Sequence, residues 1–63
     1  MNHLKDLREK NGIHSTKIAE KVNISAKTYR RYESGNTLPN IFTAIRIADV
    51  LGVCDLREIW QEE

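Results

Sequence analysis

The sequence predicts an all-α fold, a compact domain of five short helices. Apolar residues recur every three or four positions, and no stretch alternates apolar and polar residues for long enough to predict a strand. Glycine and asparagine separate these segments at intervals of about 11 to 17 residues, a spacing that fits short helices. We therefore predict helices over residues 2–10, 15–22, 26–34, 41–51 and 56–61.

The first two helices are predicted from their apolar residues and from the positions where they stop. Leu4 and Leu7 lie on one side of the first segment. Gly12 follows that segment, at a position where chains commonly leave a helix in the left-handed conformation. Ile18 and Val22 lie on one side of the second segment, which predicts that this side packs into the core.

The later helices are predicted mainly from the residues at their amino ends. Ser25 and Asn40 precede the third and fourth segments, where each can accept a hydrogen bond from a free amide. Asp55 and Glu58 have the spacing of a capping box at the start of the fifth. The fourth segment is apolar nearly all round, which predicts a central helix buried on several sides. Its apolar residues are Ile41, Phe42, Ala44, Ile45, Ile47, Ala48, Val50 and Leu51.

The size and composition of the chain limit what it can do. The 63 residues are 40% hydrophobic and 30% charged, which is typical of one small folded domain, here 1–63. A deep substrate cleft does not fit, so we do not expect an enzyme. Cys54 has no second cysteine, and with His3 and His14 it makes no zinc-binding spacing, so no metal or cofactor is expected. A fold this small, without a disulfide or a bound metal to stabilise it, favours a partner subunit.

The amino-terminal segment and the hydropathy of the chain argue against a membrane location. Residues 1–10 are charged from Lys5 onward and contain no apolar signal-peptide core. No run approaches about 18 apolar residues, so no membrane-spanning segment is expected. The sequence therefore predicts a cytoplasmic protein without a membrane partner.

Opposite charges are concentrated in the two halves of the chain. Residues 1–31 contain eight Lys and Arg against three Asp and Glu, whereas residues 32–63 contain two against six. The net charge of +1 hides this difference. The polarity favours a cationic surface for nucleic acid and an acidic opposite end, although solvated helix surfaces also produce local charge excess.

A tight connection joins the second and third predicted helices. Only residues 23–25 separate them, so the helices are predicted to cross steeply, in a helix-turn-helix arrangement over residues 15–34. Ala19 is small where the two helices approach each other. Asn23 tolerates a positive φ, and Ile24 is predicted to fill the gap between the helices.

The third helix is predicted to have a cationic side and an aromatic side. At about 100° per residue, the cationic side contains Lys27, Arg30 and Arg31. Tyr29 and Tyr32 lie on the other side and are predicted to pack into the core, although tyrosines can also stack on bases. A helix anchored in this way fits the major groove of B-DNA, where Arg and Lys can bind guanine O6 and N7.

Four segments in a fixed order carry a family resemblance. They are LREKNGI, KIAEKVNIS, TYRRYESGNTLPN and AIRIADVLGV, and the resemblance covers residues 4–53. Together they resemble the lambda-repressor-like, or XRE/Cro-type, helix-turn-helix family. The resemblance implies a five-helix domain with recognition helix 26–34, which binds double-stranded DNA and regulates transcription.

The same resemblance implies which residues contact DNA. Base contacts are implied at Ala26, Lys27, Arg30 and Arg31, and phosphate contacts at Ser15, Thr16, Lys17, Ser25, Thr28, Asn36 and Thr37. Three of the four base-contacting residues are those that helical spacing alone places on the cationic side. The family usually has Ser or Thr followed by Gln where this chain has His14 and Ser15, which shortens the phosphate-binding end of the second helix.

Two further contacts are predicted away from DNA. Arg8 lies on the core-facing side of the first helix, where a charge needs a partner, and the resemblance implies an ion pair with Glu33. Leu56, Ile59 and Trp60 form an apolar stripe on a last helix too short to be stable alone. This stripe either closes the core or contacts a partner. The resemblance implies a homodimer, whose recognition helices would lie about 34 to 36 Å apart.

Two hypotheses from different classes follow. The first is a sequence-specific transcriptional regulator, a repressor that binds a palindromic operator as a homodimer and catalyses no reaction. The second is an antitoxin-like or antagonist module that binds a protein partner through the stripe around Trp60. RNA is a weaker third candidate, because the major groove of A-form RNA is deep and narrow. His14 beside Ser15 lacks a third orienting group, so no catalytic dyad is predicted.

Overall fold

A computed structural model describes residues 2–61 of the protein. The elements in chain order are α1 (Leu4–Lys10), α2 (Ser15–Lys21), α3 (Ala26–Ser34), α4 (Ile41–Leu51) and a 3₁₀ turn at Leu56–Glu58. Within the described residues there is no β-strand, only an isolated bridge between Asn2 and Trp60. The all-α prediction is confirmed, with four helices instead of five. Residues 1, 62 and 63 of the predicted domain lie outside the described residues.

The core takes side chains from every helix and from the segment after the 3₁₀ turn. Leu4, Ile18, Tyr29, Ile47 and Ile59 are all fully buried. Burying an aliphatic or aromatic side chain stabilises a fold by about 1.5–3 kcal/mol. Since α1 packs on α3, and α2 packs on both α3 and α4, the core fixes α3 from two sides.

The prediction of a fifth helix over 56–61 is wrong, because this segment pairs with the amino terminus. The Asp55 carboxylate accepts a hydrogen bond from the Arg57 amide at 2.9 Å and starts a single 3₁₀ turn. The carbonyl of Ile59 then accepts a hydrogen bond from the His3 amide at 2.9 Å. The amides of Ile59 and Trp60 both donate to the Leu56 carbonyl, at 3.0 and 2.9 Å, and the chain then leaves the turn and pairs with the amino terminus at Asn2. The segment therefore closes the core as irregular chain.

The prediction that the fourth helix is buried on several sides is also wrong. Ile41 is 57% exposed, Phe42 is 72% exposed and Ile45 is 44% exposed. The buried residues of α4 are Thr43, Ala44, Ile47, Ala48 and Leu51. In the described part of the chain, α4 packs against α2 and the 3₁₀ turn, which cover only one side of it. A chain of this length has too few elements to surround a central helix.

No helix within residues 2–61 is long and apolar enough to cross a membrane. In the same part of the chain, no group of three or more His, Cys, Asp or Glu side chains is arranged to hold a metal ion. The single cysteine, Cys54, is exposed and free.

The buried Tyr29 hydroxyl leads to a prediction about stability at alkaline pH. Burial raises the pKa of Tyr29 well above its ordinary value of about 10, and Glu33 beside it raises the pKa further. Above pH 10 the unfolded chain releases this proton but the folded chain retains it, so the folded state loses stability as the pH rises. This stabilising contribution is complete below about pH 10.

We expect Tyr29→Phe to remove that part of the alkaline loss of stability. At neutral pH the change is expected to cost less than about 1 kcal/mol, because the buried hydroxyl has no hydrogen-bond partner within residues 2–61. Urea unfolding between about pH 7 and 11 measures the effect, with Tyr32→Phe as the matched control. Parallel stability profiles for wild type and Tyr29→Phe above pH 10 would contradict the prediction.

Candidate nucleic-acid interface

A short turn joins α2 to α3 and fixes how the two helices cross. Asn23 has a φ of 61°, in the left-handed region that asparagine tolerates better than most residues. The Ile24 amide donates a hydrogen bond to the Ala19 carbonyl at 3.0 Å. Ser25 Oγ accepts a hydrogen bond from the Thr28 amide at 3.1 Å and caps α3. α3 therefore begins at the residue that the sequence predicts.

One side of α3 is buried and aromatic, and the other is exposed and cationic. Tyr29 is fully buried, and Tyr32 is partly buried against the same core. Lys27, Arg30 and Arg31 are exposed, and we call these three residues the cationic surface. Among the residues that the structure describes, none of the three forms an ion pair with a carboxylate. Their charges are therefore available to a phosphate or to the edge of a base.

Ala26 is the fourth residue that the sequence predicts at the bases. Its side chain is half-buried and packs against the core, at the first position of α3. A methyl group can contact only the methyl of thymine among the base edges of the major groove. The structure thus brings all four residues together on α3, but only the cationic surface offers hydrogen-bond donors there.

The residues predicted at phosphates lie at the start of α2, at the start of α3 and in the loop after α3. Thr16 Oγ1 lies 3.2 Å from His14 Nδ1, and Ser15 is the first residue of α2. Lys17 Nζ lies 3.7 Å from a Glu20 carboxylate oxygen, with both side chains exposed. An exposed pair of this kind contributes little to stability, so Lys17 can exchange Glu20 for a phosphate at small cost.

The other residues predicted to contact phosphates differ in exposure and in whether their polar atoms already form hydrogen bonds within the protein. Ser25 Oγ donates a hydrogen bond to Thr28 Oγ1 at 2.8 Å while it caps α3. Asn36 is exposed in the loop, and Thr37 next to it is half-buried. The loop amide of Asn36 donates to the Arg31 carbonyl at 3.2 Å, which holds the loop against the end of α3.

Arg8 and Glu33 tie α1 to α3. Arg8 Nε donates a hydrogen bond to Glu33 Oε2 at 2.6 Å, and the two side chains are only 14% and 13% exposed. Arg8 also donates through Nη1 to the Ile13 carbonyl at 3.0 Å. The hydrogen bond that Arg8 donates to Glu33 is the largest cause that raises the pKa of the Arg8 guanidinium, so Arg8 stays charged. The pair joins α3 to α1 at a position between the cationic surface and the buried side of α3.

A family comparison agrees with this architecture. A sequence model of the family described as Helix-turn-helix matches residues 4–59. The chain belongs to this family. Within the matched residues, α2 and α3 are joined by the short turn at Asn23 and form a helix-turn-helix arrangement.

Two relatives of this helix-turn-helix protein come from Pyrococcus furiosus and Pyrococcus abyssi. Each is named "Putative HTH-type transcriptional regulatory protein". They are 40% and 38% identical to the chain over 47 residues, which is 75% of the chain and 15% of each relative. The similarity therefore concerns one segment of much longer proteins.

Sequence reasoning missed one residue that positions α3 in this helix-turn-helix fold. Asn2 Nδ2 donates a hydrogen bond to the Tyr32 carbonyl at 2.8 Å, in the last turn of α3. Asn2 Oδ1 also accepts from the Leu4 amide at 3.1 Å. An asparagine just before an apolar helix is a recognisable cap, but its bond across the chain to Tyr32 has no signal in the sequence.

The apolar stripe predicted on the last helix needs a correction. Ile59 is fully buried in the core, so it cannot contact a partner. Leu56 and Trp60 are half-buried and line a surface cavity of about 320 Å³ together with Ile41 and Ala44. The stripe thus mainly closes the helix-turn-helix core, because residue 59 is held inward by its bond to the amino terminus.

Within residues 2–61, the exposed large hydrophobic residues lie elsewhere. Leu38, in the loop before α4, is 74% exposed, and Ile41, Phe42 and Ile45 follow on α4. We call these four residues the apolar surface. Sequence reasoning assigned the α4 residues to the core, because an apolar side chain gives no indication of whether a neighbour covers it.

Proposed function

We propose that the protein binds double-stranded DNA with α3 in the major groove and regulates transcription by recognising a specific sequence in the cytoplasm. The cationic surface carries this proposal. It lies on a helix that is fixed by the buried Tyr29 and by the Arg8–Glu33 pair. A rigid helix with long cations outward fits a groove about 12 Å wide, and no reaction is part of this function.

The contacts proposed with DNA are of two kinds. Lys27, Arg30 and Arg31 contact base edges and their neighbouring phosphates, and Ala26 contacts a thymine methyl. The proposed phosphate contacts are Ser15, Thr16, Lys17, Ser25, Thr28, Asn36 and Thr37. Phosphate contacts set the position of the protein on the duplex, whereas base contacts select the sequence.

We further propose that the protein acts as a homodimer and represses transcription from a palindromic operator. The names of the Pyrococcus relatives support regulation of transcription in general. The core of this chain is small, and its described part contains no disulfide and no group of side chains arranged to hold a metal ion. A small core of this kind favours stabilisation by a second subunit. A two-fold dimer requires two half-sites in inverted orientation, hence a palindrome.

A second candidate is an antitoxin-like or antagonist module that binds another protein on the same fold. The exposed apolar surface favours it, because soluble monomers rarely expose large contiguous apolar patches without a binding role. A pure protein-binding module does not explain why the exposed side of α3 carries three cations and no acidic residue. We therefore place DNA binding first.

Selection of bound duplexes from a random DNA library tests the proposal. At about 150 mM salt, non-specific binding to phosphates is already weak. We expect a palindrome whose half-sites lie about 10 base pairs apart. Recovery of no sequence above background would overturn DNA recognition and would move the protein-binding candidate to first place.

A further inference from the structure

A residue from the amino terminus holds the carboxyl end of α3. Asn2 Nδ2 donates a partly buried hydrogen bond to the Tyr32 carbonyl at 2.8 Å. We infer that Asn2 is a positioning residue for DNA recognition, which fixes the last turn of α3 and thereby sets the base preference of Arg31. This role rests on the proposed function, in which Arg31 contacts a base edge.

The last carbonyls of a helix have no partner within the helix itself. The Tyr32 carbonyl is such a group, and it accepts hydrogen bonds from Asn2 and, at 3.2 Å, from the Gly35 amide. The Arg8–Glu33 pair reaches the same turn, but through two long side chains whose rotatable bonds permit small movements of the helix. Asn2 bonds to the backbone of α3 through one short side chain. Its bond therefore constrains the last turn more closely than the ion pair does.

Asn2 is itself held in place by two contacts with the core. Its Oδ1 atom accepts a hydrogen bond from the amide of Leu4 at 3.1 Å, and Leu4 is fully buried. The next residue, His3, donates its amide to the carbonyl of Ile59 at 2.9 Å, and Ile59 is also fully buried. A side chain can position a functional element only when its own support is rigid. Asn2 meets this condition.

Two residues of the cationic surface lie at different distances from this support. Arg31 directly precedes Tyr32, whereas Lys27 lies five residues before it, about 7.5 Å along the helix axis. The turn at Asn23 holds the other end of α3, near Lys27. Release of the carboxyl end therefore displaces Arg31 more than Lys27. Because binding groups must be held within about 0.5 Å of their working geometry, we expect the loss at the base pair that Arg31 contacts.

Asn2→Asp tests the inference with a minimal change of shape. At neutral pH an aspartate still offers an oxygen to the Leu4 amide, but it cannot donate a hydrogen bond to the Tyr32 carbonyl. Asn2→Ser is a second variant, because its hydroxyl lies closer to the backbone and leaves a gap to Tyr32. The two variants lose the same bond in different ways.

Asn11→Asp is the matched control. Asn11 Nδ2 donates to the carbonyls of Leu7 and Leu51, at 2.8 and 3.4 Å, so the same substitution removes bonds to backbone carbonyls that lie outside α3. It reproduces the chemical change without the contact to α3.

Competition binding with duplexes changed at single base pairs measures the preference of each variant. The base pairs contacted by Arg31 and by Lys27 are those at which Arg31→Ala and Lys27→Ala lose preference. We expect both Asn2 variants to lose about tenfold in discrimination at the Arg31 base pair and to keep it at the Lys27 base pair. Asn11→Asp is expected to keep both preferences.

A ratio of affinities separates positioning from a general loss of stability. The apparent affinity of a partly unfolded variant falls by the same factor on every duplex, so the ratio between two duplexes stays the same. A role of Asn2 in stability alone would therefore leave both base preferences intact. Unchanged preference at the Arg31 base pair in both Asn2 variants, or equal losses at the two base pairs, would overturn the inference.

Amide hydrogen exchange separates a failure of the positioning role from a failure of the proposed function. The Gly35 amide donates to the Tyr32 carbonyl and the Asn36 amide to the Arg31 carbonyl, so both report on the end of α3. In Asn2→Asp we expect these amides to exchange about fivefold faster, with the amides of α2 unchanged. If wild type binds no duplex, the proposed function fails. Unchanged exchange at the end of α3 would overturn the positioning role whether or not DNA binds.

Discussion

Replacing Arg8 with alanine is expected to lower the free energy of unfolding by about 3–5 kcal/mol. The change leaves the Glu33 carboxylate only 13% exposed and without its partner at 2.6 Å. It also removes the donor to the Ile13 carbonyl. The core of a domain this small supplies no more than about 3–5 kcal/mol of net stability. We therefore expect Arg8→Ala to be largely unfolded at room temperature, with loss of its helical circular dichroism.

Two further variants separate the ion pair from ordinary loss of a side chain. Lys10→Ala, at an exposed position on the same helix, is expected to change stability by less than about 0.5 kcal/mol. The double variant Arg8→Met with Glu33→Met is expected to be more stable than either single variant, because neither charge is then left unpaired. An unchanged melting temperature for Arg8→Ala would show that the pair does not hold α1 to α3.

Lys27→Ala and Arg31→Ala are each expected to weaken binding to the selected duplex by about 1–3 kcal/mol. Each variant should also lose preference at one base pair, because a cation that binds guanine O6 and N7 carries sequence information. Both side chains are exposed and form no ion pair within residues 2–61, so the fold should be unaffected. Competition binding with duplexes changed at single positions measures the loss.

Lys17→Ala is the matched control for these base contacts. Its side chain is exposed on α2 and pairs only weakly with Glu20. Loss of a phosphate contact is expected to weaken binding to all sequences alike and to reduce the slope of log affinity against log salt by about one. Equal losses on every duplex for Lys27→Ala, Arg31→Ala and Lys17→Ala would refute the assignment of base-contacting residues.

The parts of the fold that could be predicted from the sequence are those with local causes. α3 has its predicted bounds, Ala26–Ser34, because Ser25 caps its first turn and Gly35 ends it with a φ of 83°. Asn23 takes a positive φ between α2 and α3 for a similarly local reason. The cationic and aromatic sides of α3 then follow from the helical repeat alone.

The predictions that failed depend on contacts between distant residues. The segment after Asp55 has helical spacing, but the bond from the His3 amide to the Ile59 carbonyl draws it into the core. Phe42 has the hydrophobicity of a core residue, yet no element of the described chain covers it. The bond of Asn2 to the Tyr32 carbonyl spans 30 residues of sequence and has no local signature.

By itself, therefore, the sequence determined the all-α class, the tight turn between α2 and α3, and the charges on α3, because caps, turns and helical periodicity act within a few residues. Only the tertiary structure decided that the last segment is irregular, that Ile59 is buried and that Phe42 is exposed. Burial depends on which elements pack against a side chain. In a chain of 63 residues there are too few elements to cover every apolar side.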